Sequence, residues 1–412
     1  MALSRRTFLA TALAGGAVAA VGASCSADGS RGAGDAVAAG SDGAPGHVPF
    51  AGRHQPGITH PGNAYGLMAS FTITADRRDE LIDTFRAIST ETQRLMEGQR
   101  YEDRDPGFPP LYTGTVGNPA PPADLSIVAS VGESLFDDRY GLAAQKPRDL
   151  VTMPFLANDK LDPARSHGDL LLTISSAHDD VNLFALRQLM RATRGTMAVH
   201  WMLDGYNRRA VSGPGESGVR NLMGFVDGTA NLRPDDGVVM DRFVWVQSGD
   251  GEPAWATGGS YHVVRVIRMF VEFWDRTRLS EQEALIGRRK VDGAPLDGQH
   301  ETDMPDYAAD PRGAITPLDA HIRLANPRTP QTDNDLIFRK GISFSRGFDG
   351  SGRLDQGLAF VSYQRTMGQF LRTQARLAGE PLEQYIQPQG GGFFYALPGA
   401  PEGTWLGQPL FV

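Results

Sequence analysis

The stretch Leu67-Met68-Ala69-Ser70-Phe71-Thr72-Ile73 mixes apolar and small residues as a buried strand does, and the chain after it changes period at once. From about Asp76 the apolar positions are Leu81, Phe85, Ile88, Leu95 and Met96, spaced as one face of a helix. Asp76 is placed to cap the first turn of that helix. After a Pro-rich loop around residues 105–123, apolar runs at 125–131 and 170–174 predict two further strands. Val181, Ala185, Leu186, Leu189 and Met190 then mark a second helix.

The second half repeats this order. Residues 261–270 read as a strand, and Ser280-x-x-Glu283 has the spacing of a capping box opening a helix. Residues 357–363 predict another strand, and Met367, Phe370, Leu371 and Leu377 another helix. Strand, helix, strands, helix, stated twice, is the order of two ferredoxin-like α+β units. The expected division is a leader and tether at 1–46, an N-terminal unit at 47–215 and a C-terminal unit at 216–412. The halves share little sequence, so the duplication rests on element order, which fixes no function.

The 412 residues suffice for two such units; 41% apolar residues can fill their cores, and 49 Gly with 27 Pro imply many turns. A formal net charge of -8 argues against a phosphate-binding surface, so nucleic acid is not an expected partner. Cys25 is the single cysteine, which leaves the rest of the chain without a disulfide, a Cys-based zinc site or an iron–sulfur cluster.

Ser4-Arg5-Arg6-Thr7-Phe8-Leu9, followed by uncharged and weakly apolar residues 10–23, is a twin-arginine export pattern. The apolar run is too short for a membrane span. This route carries folded proteins, which suits a chain that takes up a cofactor before export. It predicts a periplasmic, cell-surface or extracellular location. Val21-Gly22-Ala23-Ser24 before Cys25 loosely resembles a lipoprotein cleavage box, but an ordinary cleavage site near residues 23–27 fits equally, so anchoring through Cys25 stays open. Residues 26–46 are rich in Gly, Ala, Ser and Asp and read as a flexible tether.

The nine histidines show no His-x-x-x-His spacing, and no G-x-S-x-G elbow is present. Two segments stand out. Gly224-Phe225-Val226-Asp227-Gly228-Thr229-Ala230-Asn231 sets a glycine-flanked acid in an apolar stretch, although Asp-Gly is also common in turns. Asp319-Ala320-His321-Ile322-Arg323-Leu324-Ala325-Asn326-Pro327-Arg328 is followed by Ile337-Phe338-Arg339-Lys340-Gly341.

Together these segments resemble the dye-decolorising (DyP-type) haem peroxidase family. The resemblance lies in its G-x-x-D-G signature, its His-x-Arg segment and a distal arginine eighteen residues after the histidine. It extends from about Gln55 to the C-terminus. Supporting stretches are Gln55-Pro56-Gly57-Ile58, Phe273-Trp274-Asp275-Arg276-Thr277, Gly293-Ala294-Pro295-Leu296 and Gly390-Gly391-Gly392-Phe393-Phe394. The chain is most like the exported, deferrochelatase-type peroxidases of bacterial ferrous-iron uptake systems.

The resemblance implies one haem b per chain, with His321 as the axial ligand of its iron. The second ring nitrogen of such a ligand needs an acceptor. Glu383 matches the family's acidic position, with an ordinary helix-surface glutamate as the alternative. Asp319 is nearer in sequence, but side chains two apart on a helix do not face each other. On the opposite face, Asp227 would shuttle a proton between the oxygens of peroxide. Arg339 would stabilise the hydroperoxide anion and keep Asp227 ionised.

Further haem contacts carried over by resemblance are Gly228, Thr229 and Ala230, whose small size permits close approach, and Asn326, Pro327 and Arg328 after the ligand. Arg288 would meet a propionate and Phe360 would wall the distal pocket. Phe338 and Lys340 flank Arg339 where Leu and a second Arg are frequent in the family, a departure that bears on packing around the distal arginine.

The implied function is peroxide reduction coupled to oxidation of a donor, either organic (dye-like, phenolic or porphyrin) or ferrous iron. The alternative is iron release from haem within an iron-uptake system. The implied partners are hydrogen peroxide, a small-molecule donor, iron-uptake permease components and further copies of the chain. A haem carrier would need His321 but not Asp227 with Arg339. A cofactor-free structural dimer would leave all three unexplained.

Overall fold

The computed structural model describes residues 45–207 and 219–412. The twin-arginine pattern, Cys25 and the boundary expected near residue 215 lie outside the described residues. The elements follow in the order α1 (Pro56–Thr59), β1 (Tyr65–Ile73), α2 (Arg78–Met96), β2 (Ser126–Gly132), β3 (Leu170–Ser176), α3 (Asp179–Ala192) and β4 (Met197–Tyr206). After these come α4 (Gly237–Phe243), β5 (Ser260–Met269), α5 (Val271–Trp274), α6 (Leu279–Ile286), α7 (His321–Ala325), β6 (Phe338–Arg339), β7 (Ile342–Phe348), β8 (Leu354–Gln364), α8 (Met367–Leu377) and β9 (Ile386–Ala396).

The nine strands form one sheet in the order β5-β9-β2-β3-β1-β4-β7-β8-β6, and β5 also pairs with β8, which closes the sheet into a barrel. Every strand pairing is antiparallel. The first four strands lie in the order β4-β1-β3-β2, and the later ones in the order β7-β8-β5-β9. Two seams join these groups, β2 to β9 through Ser130↔Ala396 and Gly132↔Phe394, and β4 to β7 through Tyr206↔Ser343.

Both faces of β1 are covered, which accounts for its near-continuous apolar run. Leu67, Ala69, Phe71 and Ile73 join one core with Leu81, Phe85 and Ile88 of α2 and Val181, Ala185 and Leu189 of α3. Met68, on the opposite face, packs with Val128, Leu171, Trp201 and Leu203. A smaller cluster of Met223, Phe225, Met269, Trp274, Leu382 and Tyr385 ties the segment before Asp227 to the chain just after α8.

Two expected caps are not formed. Arg77, not Asp76, is the N-cap of α2, and the Glu80 carboxylate accepts from the Asp76 amide at 2.9 Å. The helix α6 begins before Ser280, so the box predicted there has no cap position to occupy. Glu283 instead accepts the Lys290 amide at 2.8 Å, and a capping box sits at Thr366 and Gln369 ahead of α8.

Strands β4, β6, β7 and β9 carry weaker signals. β4 exposes Met202 and Tyr206. β9 contains three glycines that weaken strand propensity yet are needed for close approach. A Cβ at Gly390 would lie 2.4 Å from the Arg165 carbonyl oxygen, and one at Gly391 would lie 2.1 Å from that of Val264.

Candidate active site

The loop carrying Asp227 is set by its flanks. Met223 and Phe225 are buried against Trp274, whose Nε1 donates to the Met223 carbonyl at 2.9 Å. Asn221 Oδ1 accepts the Met223 amide at 3.0 Å, and the Asp227 amide donates to the Val219 carbonyl at 2.7 Å. The chain then turns through Gly228 at φ +88° and Ala230 at φ +57°, and a Cβ at Gly228 would meet nothing within 4 Å. Asp227 Oδ1 accepts the Gly228 amide at 2.7 Å and lies 3.6 Å from Arg339 Nη1.

Arg339 is fixed to the same loop by two groups. Its Nη2 donates to the Thr229 carbonyl at 2.8 Å. Asn231 grips its backbone, Oδ1 accepting the Arg339 amide at 2.9 Å and Nδ2 donating to its carbonyl at 2.8 Å. Asp227 and Arg339 keep about a third of their side-chain surface exposed, so each can reach a ligand.

His321 opens α7, which packs against α6 and α8. Arg376 of α8 donates to the Leu324 and Ala325 carbonyls at the end of α7, and Arg323 donates to the Thr316 carbonyl at 2.7 Å. His321 Nδ1 lies 2.8 Å from Glu380 Oε2, and that carboxylate is 4% exposed. A carboxylate only accepts, so Nδ1 is the protonated nitrogen and Nε2 presents its lone pair away from Glu380. Burial opposes charging of this imidazole. The charge and hydrogen bond of Glu380 outweigh it, and His321 titrates above its ordinary value. The charges of Arg339 and Asp227 also act on His321.

Glu383, the acid expected behind His321, does not meet it. Glu380 does. Glu380 is the N-cap of a 3-10 turn, Pro381–Gln384, and Glu383 lies within that turn, where it accepts the Gly379 amide at 3.1 Å. The sequence offers two acids three positions apart, and only burial, which selects Glu380, distinguishes them.

The remaining expected contacts differ in burial and in their partners. Residues 321–329 are all half-buried. Phe360 of β8 is half-buried and packs 6.1 Å from Phe370 of α8. Arg288 is buried and donates to the carbonyls of Gly293 and Glu301 at 2.7 and 3.0 Å. Burial and the neighbouring Arg328 and Arg339 lower its pKa, so three guanidinium groups converge here. Arg328 sits at φ +56°, and its amide donates to Asn326 Oδ1 at 3.1 Å. Its Nε and the Tyr307 hydroxyl are buried without hydrogen-bond partners. Thr229 Oγ1 donates to Glu301 at 2.9 Å.

This donor set fits haem. It combines a lone imidazole nitrogen, converging guanidinium groups with unsatisfied polar atoms for acid groups, and half-buried apolar surface. Among the described residues no three His, Cys, Asp or Glu side chains converge as a metal site, so iron here would need to bring its other ligands. A cavity of about 300 Å³ borders Asp227, Gly228, Asn231 and Arg339 and extends toward β2 and β3. Among the described residues no helix is long and apolar enough to cross a membrane.

Comparison with known proteins gives a consistent result. The family model for Dyp-type peroxidase, N-terminal, matches residues 55–207, and that for Dyp-type peroxidase, C-terminal, matches residues 218–401. A deferrochelatase of Yersinia pestis bv. Antiqua is 44% identical over 365 residues, 88% of this chain and 84% of that protein. The crystal structure of a DyP-type peroxidase from Streptomyces coelicolor is 36% identical, with a TM-score of 0.79 over 89% of this chain and 97% of that one. Ferric DtpA from Streptomyces lividans is 35% identical, with a TM-score of 0.79 over 92% of this chain and 100% of that one.

Proposed function

This chain belongs to the Dyp-type peroxidase family, and we propose how its own residues perform that chemistry as a haem-dependent peroxidase. It reduces hydrogen peroxide and oxidises an electron donor, taking up two electrons and two protons for each peroxide converted to two waters. Haem, when bound, supplies the redox-active iron.

His321 Nε2 would hold the iron, and the Nδ1 hydrogen bond to Glu380 fixes the ring and raises its basicity. The Asp227 carboxylate takes a proton from one peroxide oxygen and returns it to the departing oxygen. Arg339, 3.6 Å from Asp227, stabilises the hydroperoxide anion and the negative charge that grows as the O–O bond opens. Arg288 and Arg328, with the Tyr307 hydroxyl, meet the propionates. Gly228, Thr229, Ala230, Asn326, Pro327 and Phe360 shape the walls.

The observation that carries this reading is the pairing of His321 with Glu380 on one side and of Asp227 with Arg339 on the other. Haem titration into the haem-free protein tests it. Wild type takes one haem per chain and then consumes peroxide with a phenolic donor. His321→Ala should lose the absorption signature of imidazole-bound haem, and unchanged spectra would remove His321 from the role.

A second reading, iron release from haem, draws on the 44% identity to a protein named deferrochelatase. Metal-free porphyrin fluorescence, formed from the haem-loaded protein with a reductant and an iron chelator, would support it.

The strand orders β4-β1-β3-β2 and β9-β5-β8-β7 support a reading of two ferredoxin-like units, one on each side of residue 215. The twin-arginine pattern at residues 4–9 supports export, and the deferrochelatase relationship supports partnership with iron-uptake permease components. Self-association is proposed from the family alone.

A further inference from the structure

The cavity bordering Asp227 and Arg339 is larger than peroxide requires. Its volume of about 300 Å³ equals that of roughly ten waters at ~30 Å³ each, whereas peroxide has only two heavy atoms. Met68, Val128 and Val361 give it an apolar wall.

Lys340 supplies the opposite character. Its Nζ donates to the Gly57 and His60 carbonyls at 2.7 and 2.8 Å, which leaves its third N–H uncommitted. No carboxylate pairs with it among the described residues. Burial pulls its pKa down to about 8 with no neighbouring charge to offset the effect, so at neutral pH it is still mostly a cation without a counter-charge. His60, beside it, is itself shifted down by burial and by Lys340, and brings no negative charge. Thr173 Oγ1 on the same lining is buried without a hydrogen-bond partner among the described residues. Arg339 borders the same cavity from the Asp227 side, where Thr229 and Asp227 hold it.

A desolvated cation, an unsatisfied hydroxyl and an apolar wall are the composition of a small-acid site. We propose that this chamber binds a small organic monocarboxylate of up to one aromatic ring, with its carboxylate on Lys340 Nζ and its body against Met68, Val128 and Val361. The occupant lies beside Asp227 and restricts the approach of peroxide. None of Lys340, Thr173, Met68, Val128 and Val361 is assigned to haem, so failure of this site would leave the peroxidase reading standing.

The test is calorimetric titration of sodium benzoate into the haem-loaded protein at mildly acidic pH, with cyanide saturating the iron and benzamide as the neutral counterpart. The expected result is one benzoate per chain with millimolar or tighter affinity and benzamide about tenfold weaker. Lys340→Met should weaken benzoate about tenfold and Lys340→Arg should retain it. Equal binding of benzoate and benzamide, no binding at millimolar concentration, or no effect of Lys340→Met overturns the proposal. If Lys340→Met does not fold, Thr173→Val decides, because loss of the buried hydroxyl should weaken benzoate severalfold, about 1 kcal/mol in a hydrogen bond.

Discussion

His321 Nδ1 lies 2.8 Å from Oε2 of Glu380, a buried carboxylate fifty-nine positions along the chain. Glu383, three residues farther on, is turned to the Gly379 amide instead. Glu380→Gln keeps the shape of the contact and removes its charge. It should lower haem affinity or peroxide turnover by about 10- to 100-fold, whereas Glu383→Gln should stay close to wild type. Haem titration and steady-state turnover of the two variants side by side decide this, and the reverse ranking would return the role to Glu383.

Asp227 and Arg339 act on the same peroxide by different means. Asp227→Asn removes the proton carrier and should slow the second-order reaction with peroxide by roughly 10²- to 10⁴-fold. Arg339→Leu removes the charge that steadies the anion and should cost about 10²- to 10³-fold. Rapid mixing of each variant with peroxide measures both, and a change of less than about twofold in either would strike that residue from the mechanism.

Asn231 is a positioning residue. It makes both hydrogen bonds that hold the Arg339 backbone, each contributing about 0.5–1.5 kcal/mol. Asn231→Ala should therefore lower the melting temperature slightly. By displacing the guanidinium it should lower kcat/KM for peroxide by roughly tenfold to a hundredfold. A lower melting temperature with unaltered peroxide kinetics would mean that Asn231 stabilises the fold and does not aim Arg339.

Lys340 gives a pH signature. Its pKa falls from 10.5 to about 8 on folding because burial disfavours the charge. Between those values the unfolded chain binds a proton that the folded chain does not, so this group's contribution to stability rises with pH across that window. Urea unfolding of wild type and Lys340→Met near neutrality and near pH 9.5 should show wild type gaining on the variant at the higher pH. Parallel curves would show that the ammonium is solvated.

The parts of this molecule that were legible in the sequence are those in which a local pattern and its structural result coincide. The strand at β1 and the helices α2, α3 and α8 announce themselves by period, because each buries a face built from its own neighbours. Asp227, His321 and Arg339 stand in recognisable motifs, and the fold brings Asp227 and Arg339 within 3.6 Å of each other.

What failed depended on small displacements. Asp76 and Ser280 have the residue types of caps, but the helices begin one or two positions away from where those side chains would serve. Glu380 and Glu383 differ by a single 3-10 turn, and nothing in Glu380-Pro381-Leu382-Glu383 says which one is turned inward. The glycines of β9 hide a strand because their value lies in the backbone that comes against them from Arg165 and Val264.

The most direct test is stopped-flow absorbance of the haem-loaded protein mixed with stoichiometric peroxide at mildly acidic pH. A rapid shift of the haem spectrum that an electron donor reverses, abolished or strongly slowed in Asp227→Asn, is the result predicted here. A bound-haem spectrum that ignores peroxide would contradict it and make the chain a haem carrier.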